Sequence, residues 1–134
     1  MNWLFKEEPT NYSFDALVKD TRTTWSGVKN PLAQKHLRAV RRGDRIFYYH
    51  TGGEKAVVGI AKALGDAYVD PSDTAGKQSV VDVAPVRKLS RPVRLSEIKA
   101  DRGFKDFPLV RIPRLSVMPV TDDEWRRIED LAGT

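Results

Sequence analysis

The residues best placed to do chemistry form one short run, Trp25-Ser26-Gly27-Val28-Lys29-Asn30-Pro31. It sets an aromatic, a hydroxyl, a flexible glycine and an amide directly before a helix start, where Asn caps well and Pro has no donor to lose. The N-terminus of a helix offers unpaired N–H groups and partial positive charge, a seat for an anion or the edge of a base. A tryptophan beside it can stack on any base, an interaction worth about 1–3 kcal/mol. Two readings of Trp25 stand side by side, a stacking platform or a core side chain, since most tryptophans are buried. Asn30 reads first as the cap. The second chemical feature is charge: Lys29, Lys35, Arg38, Arg41, Arg42 and Arg45 lie close together, with Asp44 the one acidic residue among them. Such a set either holds phosphates or is a solvated basic face.

Other chemistry is poorly supplied. Gly76-Lys77 is followed by Gln78, without the hydroxyl residue and glycine spacing of a phosphate loop. No H-E-x-x-H or G-x-S-x-G occurs. There are 0 cysteines and 2 histidines, His36 and His50, so disulfides and thiolate sites are excluded and neither a metal centre nor a cofactor is expected. The carboxylates of Glu7 and Glu8 are neighbours on an expected strand and should point to opposite faces. Glu7 reads as a polar strand end, whereas Glu8, just before Pro9, is expected at a rim.

The elements that must position these residues follow from pattern. Trp3 and Phe5 alternate in a strand over Asn2–Lys6 that Pro9 stops. Ser13 caps a short helix to about Val18, with Phe14, Leu17 and Val18 available to pack. Residues 21–25 are β-branched and aromatic, hence extended. The helix opened by Asn30-Pro31 should reach about Val40, burying Leu32, Ala33, Leu37 and Val40. Strands are expected over Arg45–His50 and Ala56–Leu64, joined by the hairpin Thr51-Gly52-Gly53-Glu54. A polar loop over 65–78 precedes a strand over Ser79–Leu89. Ser96 caps a turn over Glu97–Ala100, and Leu115–Val120 is the last strand. Thr121-Asp122-Asp123-Glu124 is a capping box for a closing helix that buries Trp125, Ile128 and Leu131.

The chain has 134 residues, 40% hydrophobic and 31% charged, enough apolar content for one real core and too much for a disordered chain. Its net charge of +5 suits a polyanionic partner. No run approaches the roughly 20 apolar residues of a membrane span, and the acidic start is unlike a signal peptide. The expectation is a single domain over 1–134, cytoplasmic, monomeric and away from membranes.

Several ordered motifs add to this reading: Trp3-Leu4-Phe5-Lys6-Glu7-Glu8-Pro9, the Trp25–Asn30 run, Gly43-Asp44 with Phe47-Tyr48-Tyr49-His50-Thr51, Gly59-Ile60-Ala61, Tyr68-Val69-Asp70-Pro71, Val81-Asp82-Val83, and Arg114-Leu115-Ser116-Val117-Met118-Pro119-Val120-Thr121. Together, over residues 2 to about 130, they resemble EVE-domain proteins, members of the PUA-like group with the YTH and ASCH domains. The resemblance implies an α+β fold, a mixed β pseudo-barrel of five or six strands with peripheral helices. It also implies a pocket for a flipped, modified base, chiefly a 5-modified cytosine in DNA, in a protein that binds rather than catalyses. On that reading Trp25 stacks, and Ser26, Asn30 and Glu8 are edge readers, a carboxylate accepting from the cytosine amine. Val28, Tyr49 and His50 are walls, with His50 equally readable as a barrel histidine. Lys6 stands where the related YTH readers end their first strand. Lys29, Lys35, Arg38, Arg41, Arg42 and Arg114 hold phosphates.

The sequence departs from the EVE pattern at Ser26, where many members carry Asp, and at Lys29, where they carry Arg. The region of Gln78 and Ser79 lacks their Trp. Three alternatives remain: an RNA-binding PUA-like protein, an ASCH-like hydrolase of a modified nucleoside using Lys6, Glu8 and Thr24, and a module whose basic face meets an acidic protein.

Overall fold

Strand β1 (Asn2–Glu7) has its first four residues buried, because apolar side chains cover both faces of the sheet there. It pairs in parallel with β3 (Arg45–His50) and antiparallel with β7 (Val117–Val120). Between β1 and β3 come α1 (Pro9–Tyr12), α2 (Phe14–Asp20), β2 (Thr23–Trp25) and α3 (Pro31–Arg38). After β3 follow β4 (Ala56–Ala63), β5 (Tyr68–Val69), β6 (Ser79–Arg94), α4 (Leu95–Ala100), a 3-10 turn (Arg102–Phe104), α5 (Pro108–Arg111), β7 and α6 (Asp122–Leu131). These elements come from a computed structural model that describes residues 1–133, so Thr134 of the expected domain lies outside the described residues.

The sheet has 7 strands in the order β2-β6-β4-β3-β1-β7, with β5 attached to β6. Every pairing except β1–β3 is antiparallel. Register shifts interrupt the β3–β4 pairing at Tyr48/Tyr49 and the β4–β6 pairing at Val57/Gly59 and Ile60/Ala61. Such irregularities bend a strand and increase its twist, and the sheet curls into the half-barrel of a PUA-like α+β fold. The 16-residue β6 spans the curl, pairing β4 over most of its length and β2 at its start.

The curl separates two apolar layers. Inside, Phe5, Phe14, Trp25 and Tyr48 form a ring cluster with centroids 5.3–5.5 Å apart. Phe14 fits because Gly59 of β4 has no side chain: a Cβ there would lie 2.6 Å from the Phe14 ring. Outside, Phe47 stacks on Trp125 of α6 at 3.6 Å, and the Arg45 guanidinium sits 4.3 Å above that indole. Asp44 fastens the start of β1 to the turn before β3, accepting from Trp3 Nε1 at 2.8 Å and from the Arg41 N–H at 2.9 Å.

Several boundaries differ from the sequence expectations. Helix α3 stops at Arg38, and it buries Gln34 while Leu32 is 38% exposed. Val18 is likewise 50% exposed, because α2 packs through Phe14 and Leu17. Strand β6 continues past Leu89 to Arg94, where Glu97 accepts from the Arg94 N–H, so Arg94 rather than Ser96 opens α4. Strand β7 begins at Val117, two residues later than expected. The loop over 65–78 contains β5, and its tip is tied by Asp73, which accepts from the N–H groups of Ala75, Lys77 and Gln78. The expected caps Ser13, Asn30 and Thr121 all accept from their helices.

Candidate functional site

A cleft of about 260 Å³ opens over the end of β2, lined by Glu7, Asn11, Tyr12, Thr23, Thr24, Trp25 and Ser26. Trp25 is both core and wall. It is 6% exposed, makes a T-shaped contact with Tyr48 and lines the cleft. Strand pairing fixes its position, with Trp25 opposite Val81 and Thr24 opposite Asp82. Asp82 accepts from both Thr24 Oγ1 and the exposed Tyr68 hydroxyl at 2.8 Å, which braces the cleft's outer wall.

Alternation along β1 brings Glu7 into this cleft. Phe5 meets Trp25 and Tyr48 inside the barrel, and Glu7, two residues on, follows the same face. Its Oε1 accepts from the Glu8 N–H at 2.9 Å, and the other oxygen has no hydrogen-bond partner among the described residues. Burial, aided by the Glu7 charge, pushes the Tyr48 phenol far up, so that hydroxyl stays a donor. It donates to the Tyr12 carbonyl and pins the loop over the cleft.

The segment after Trp25 is held by Gln34, a buried side chain on α3. Its Nε2 donates to Val28 O at 2.6 Å and to Gln78 Oε1 at 3.0 Å, and its Oε1 accepts from Ser79 N at 2.9 Å. Gly27 makes the turn into this segment with φ +75°, a conformation open to glycine at little cost. Gln34→Leu leaves Val28 O and Ser79 N without their partner, each buried group costing about 1–3 kcal/mol. We expect a lower urea midpoint and faster amide exchange over residues 26–30, with the exchange change confined to that segment and the start of β6.

The comparisons with known proteins agree with this architecture. The EVE-domain family model matches residues 1–131. The chain belongs to the EVE-domain family. Thymocyte nuclear protein 1 of Gallus gallus is 34% identical over 92% of this chain, which spans 65% of that protein's length. The solved structure of Rpa0253 from Rhodopseudomonas palustris superposes with a TM-score of 0.93 at 42% identity, covering 98% of this chain and 92% of that one. Human THYN1, solved in complex with 5-methylcytosine-containing DNA, superposes with a TM-score of 0.89 at 28% identity, covering 99% and 98% of the two chains.

Within this EVE domain the expected site residues do not form one group. Trp25 and Ser26 line the cleft, and Val28 is buried just behind it. Asn30 caps α3, its Oδ1 accepting from Ala33 N at 3.0 Å. Glu8 points away from the cleft, toward Gly52, Thr51 and Thr10. Lys6 and Tyr49 lie on the outer face in a separate cleft. His50 is occupied: its Nε2 accepts from the Phe14 N–H at 3.0 Å, so its Nδ1 donates to Glu54 Oε1 at 2.6 Å.

The basic residues of the EVE domain are also dispersed. Lys29, Lys35, Arg38, Arg41, Arg42 and Arg114 are all exposed. Arg41 turns back to the helix end, donating to Arg38 O at 3.0 Å and Val40 O at 3.3 Å. Lys29 is nearest in sequence to the cleft, and Arg114 follows Pro113 on the outer face. Sequence reasoning missed Asn11, Tyr12 and Thr23, which sit on short elements without periodicity. It also read Glu7 as a polar strand end and Glu8 as the edge reader, whereas Glu7 lines this cleft, a placement that alternation from Phe5 signals.

Proposed function

We propose that this EVE domain binds DNA carrying a 5-modified cytosine and accepts that base, flipped from the stack, in the Glu7–Trp25 cleft. The observation that carries the reading is the half-buried Glu7 carboxylate, with one oxygen unpartnered among the described residues, in the cleft that Trp25 also lines. A carboxylate there accepts from the cytosine N4 amine and disfavours a carbonyl. Tyr12 and Trp25 supply aromatic surface for the ring, returning part of the few kcal/mol that unstacking costs. The 5-methylcytosine DNA bound by human THYN1, a protein of the same fold over nearly the whole chain, supports the same ligand class here.

Binding rather than hydrolysis is the better account. A hydrolytic set needs its base and nucleophile within reach of one another, and Lys6, Glu8 and Thr24 do not share a cleft. A fluorescent purine analogue placed next to the modified cytosine tests the flipped base. Its emission should rise when protein binds, because its neighbour leaves the stack. Unchanged emission at saturating protein would remove flipping from the account.

A further inference from the structure

On the outer face, where β1 and β3 end and β4 begins, a second cleft of about 270 Å³ is lined by Lys6, Tyr49, Thr51, Lys55, Lys99 and Pro113, among others. A third, of about 310 Å³, adjoins it through Lys55, Leu95 and Lys99 and adds Arg94. The family resemblance gave Lys55, Lys99 and Arg94 no role, and the Trp25 cleft does not use them.

Four properties mark the region as built for an anion. First, no ion pair within 4.0 Å engages Lys6, Lys55, Lys99 or Arg94 among the described residues, so their charges are open to an anion, as are those of Lys35 and Arg38 on α3; Arg87, Lys88, Arg91 and Arg127 are paired. Second, Lys6 is half-buried: its Nζ donates to Pro113 O at 2.8 Å and lies 5.6 Å from the Tyr49 ring, and burial lowers its pKa, a penalty that a bound anion would offset. Third, the Tyr49 hydroxyl has no hydrogen-bond partner among the described residues, and burial pushes its pKa up to about 12, so it remains a donor. Fourth, Lys55 is held at φ +48°, in the left-handed region, with its carbonyl accepting from Leu95 N at 2.8 Å. A side chain held in that region is strained, and such strain clusters at ligand sites. The nearby acids are engaged: Glu54 by His50, and Glu8 by weak contacts from Thr10 and Thr51 at 3.4 Å.

We propose that Lys6, Lys55 and Lys99, with the Tyr49 hydroxyl, form a phosphodiester site that grips the backbone of the strand whose base enters the Trp25 cleft. The proposal rests on the base-binding reading for the identity of the strand. Consecutive residues of β1 link the two sites, Glu7 facing the base cleft and Lys6 the lysine cleft. A strand crossing this rim would meet both. The main phosphate contact then lies here and not along α3.

The test compares wild type with the double variant Lys55→Asn/Lys99→Gln, Asn being tolerant of positive φ. Each binds one oligonucleotide sequence, with and without 5-methylcytosine, over a range of salt. Loss of one phosphate contact should lower the slope of log affinity against log salt by about 0.7–0.9, equally for both oligonucleotides and with their affinity ratio unchanged. The matched variant Lys35→Gln/Arg38→Gln should move the slope less.

An unchanged slope in the Lys55/Lys99 variant overturns the proposal, whatever the ratio does. A parallel titration with inorganic phosphate separates the two sources of phosphate: shifts at Lys55 and Lys99 with an unchanged DNA slope mark a small-anion site and overturn the strand contact. Wild type with a normal slope but no preference for the modified base contradicts the base reading and leaves the phosphate contact standing. Failure to bind either oligonucleotide contradicts both.

Discussion

Trp25→Ala is expected to lower folding stability by about 3–5 kcal/mol, the range for removing a buried tryptophan or phenylalanine. The ring is 6% exposed and packs on Phe5 and Tyr48, so its loss leaves a hole at the centre of the inner layer. Native domains hold about 5–15 kcal/mol in total, and the variant should melt far below wild type. Any folded fraction should bind modified and unmodified DNA alike. Trp25→Phe separates the two roles, keeping most of the inner layer while offering less surface to a base. A Trp25→Ala protein with the wild-type melting temperature would contradict the packing described here.

Glu7→Gln carries the second large effect. With the amide oxygen accepting from the Glu8 N–H, the NH2 group would present a donor to the cytosine amine, costing about 1–3 kcal/mol in affinity for the modified cytosine. A base with a carbonyl at that position should bind as well or better, and preference should move toward thymine. Glu8→Gln is the control, because its carboxylate faces Gly52 on the other side of the strand. Equal affinities of Glu7→Gln and wild type for every base would exclude the carboxylate as reader. An effect of Glu8→Gln alone would place the base on the outer rim.

The framework was legible because its signals were local. Alternation of Trp3 and Phe5, the caps Ser13, Asn30 and Thr121, and the Gly52-Gly53 hairpin each act within a few residues of themselves. The site was less legible because long-range pairing assembles it. Residues far apart in the chain converge only when β2 pairs with β6, bringing Thr24 to Asp82 and Tyr68 close by. Gln34 lies outside the apolar positions expected to be buried on α3, yet it is buried because β6 begins against it. Tyr49 and His50 are adjacent in sequence but face opposite sides of the sheet, and only His50 is on the Trp25 side, already bound to Phe14 and Glu54.

Reading of a modified cytosine is tested most directly by the affinities of the wild-type protein for two oligonucleotides that differ only in the 5-methyl group of one cytosine. A methyl group taken from water into the cleft is worth about 0.8 kcal/mol, or roughly a fourfold tighter complex. The predicted result is that preference at constant salt, kept in Glu8→Gln, with Glu7→Gln binding both oligonucleotides more weakly because both present the same amine. Equal affinity of wild type for the two oligonucleotides would contradict it.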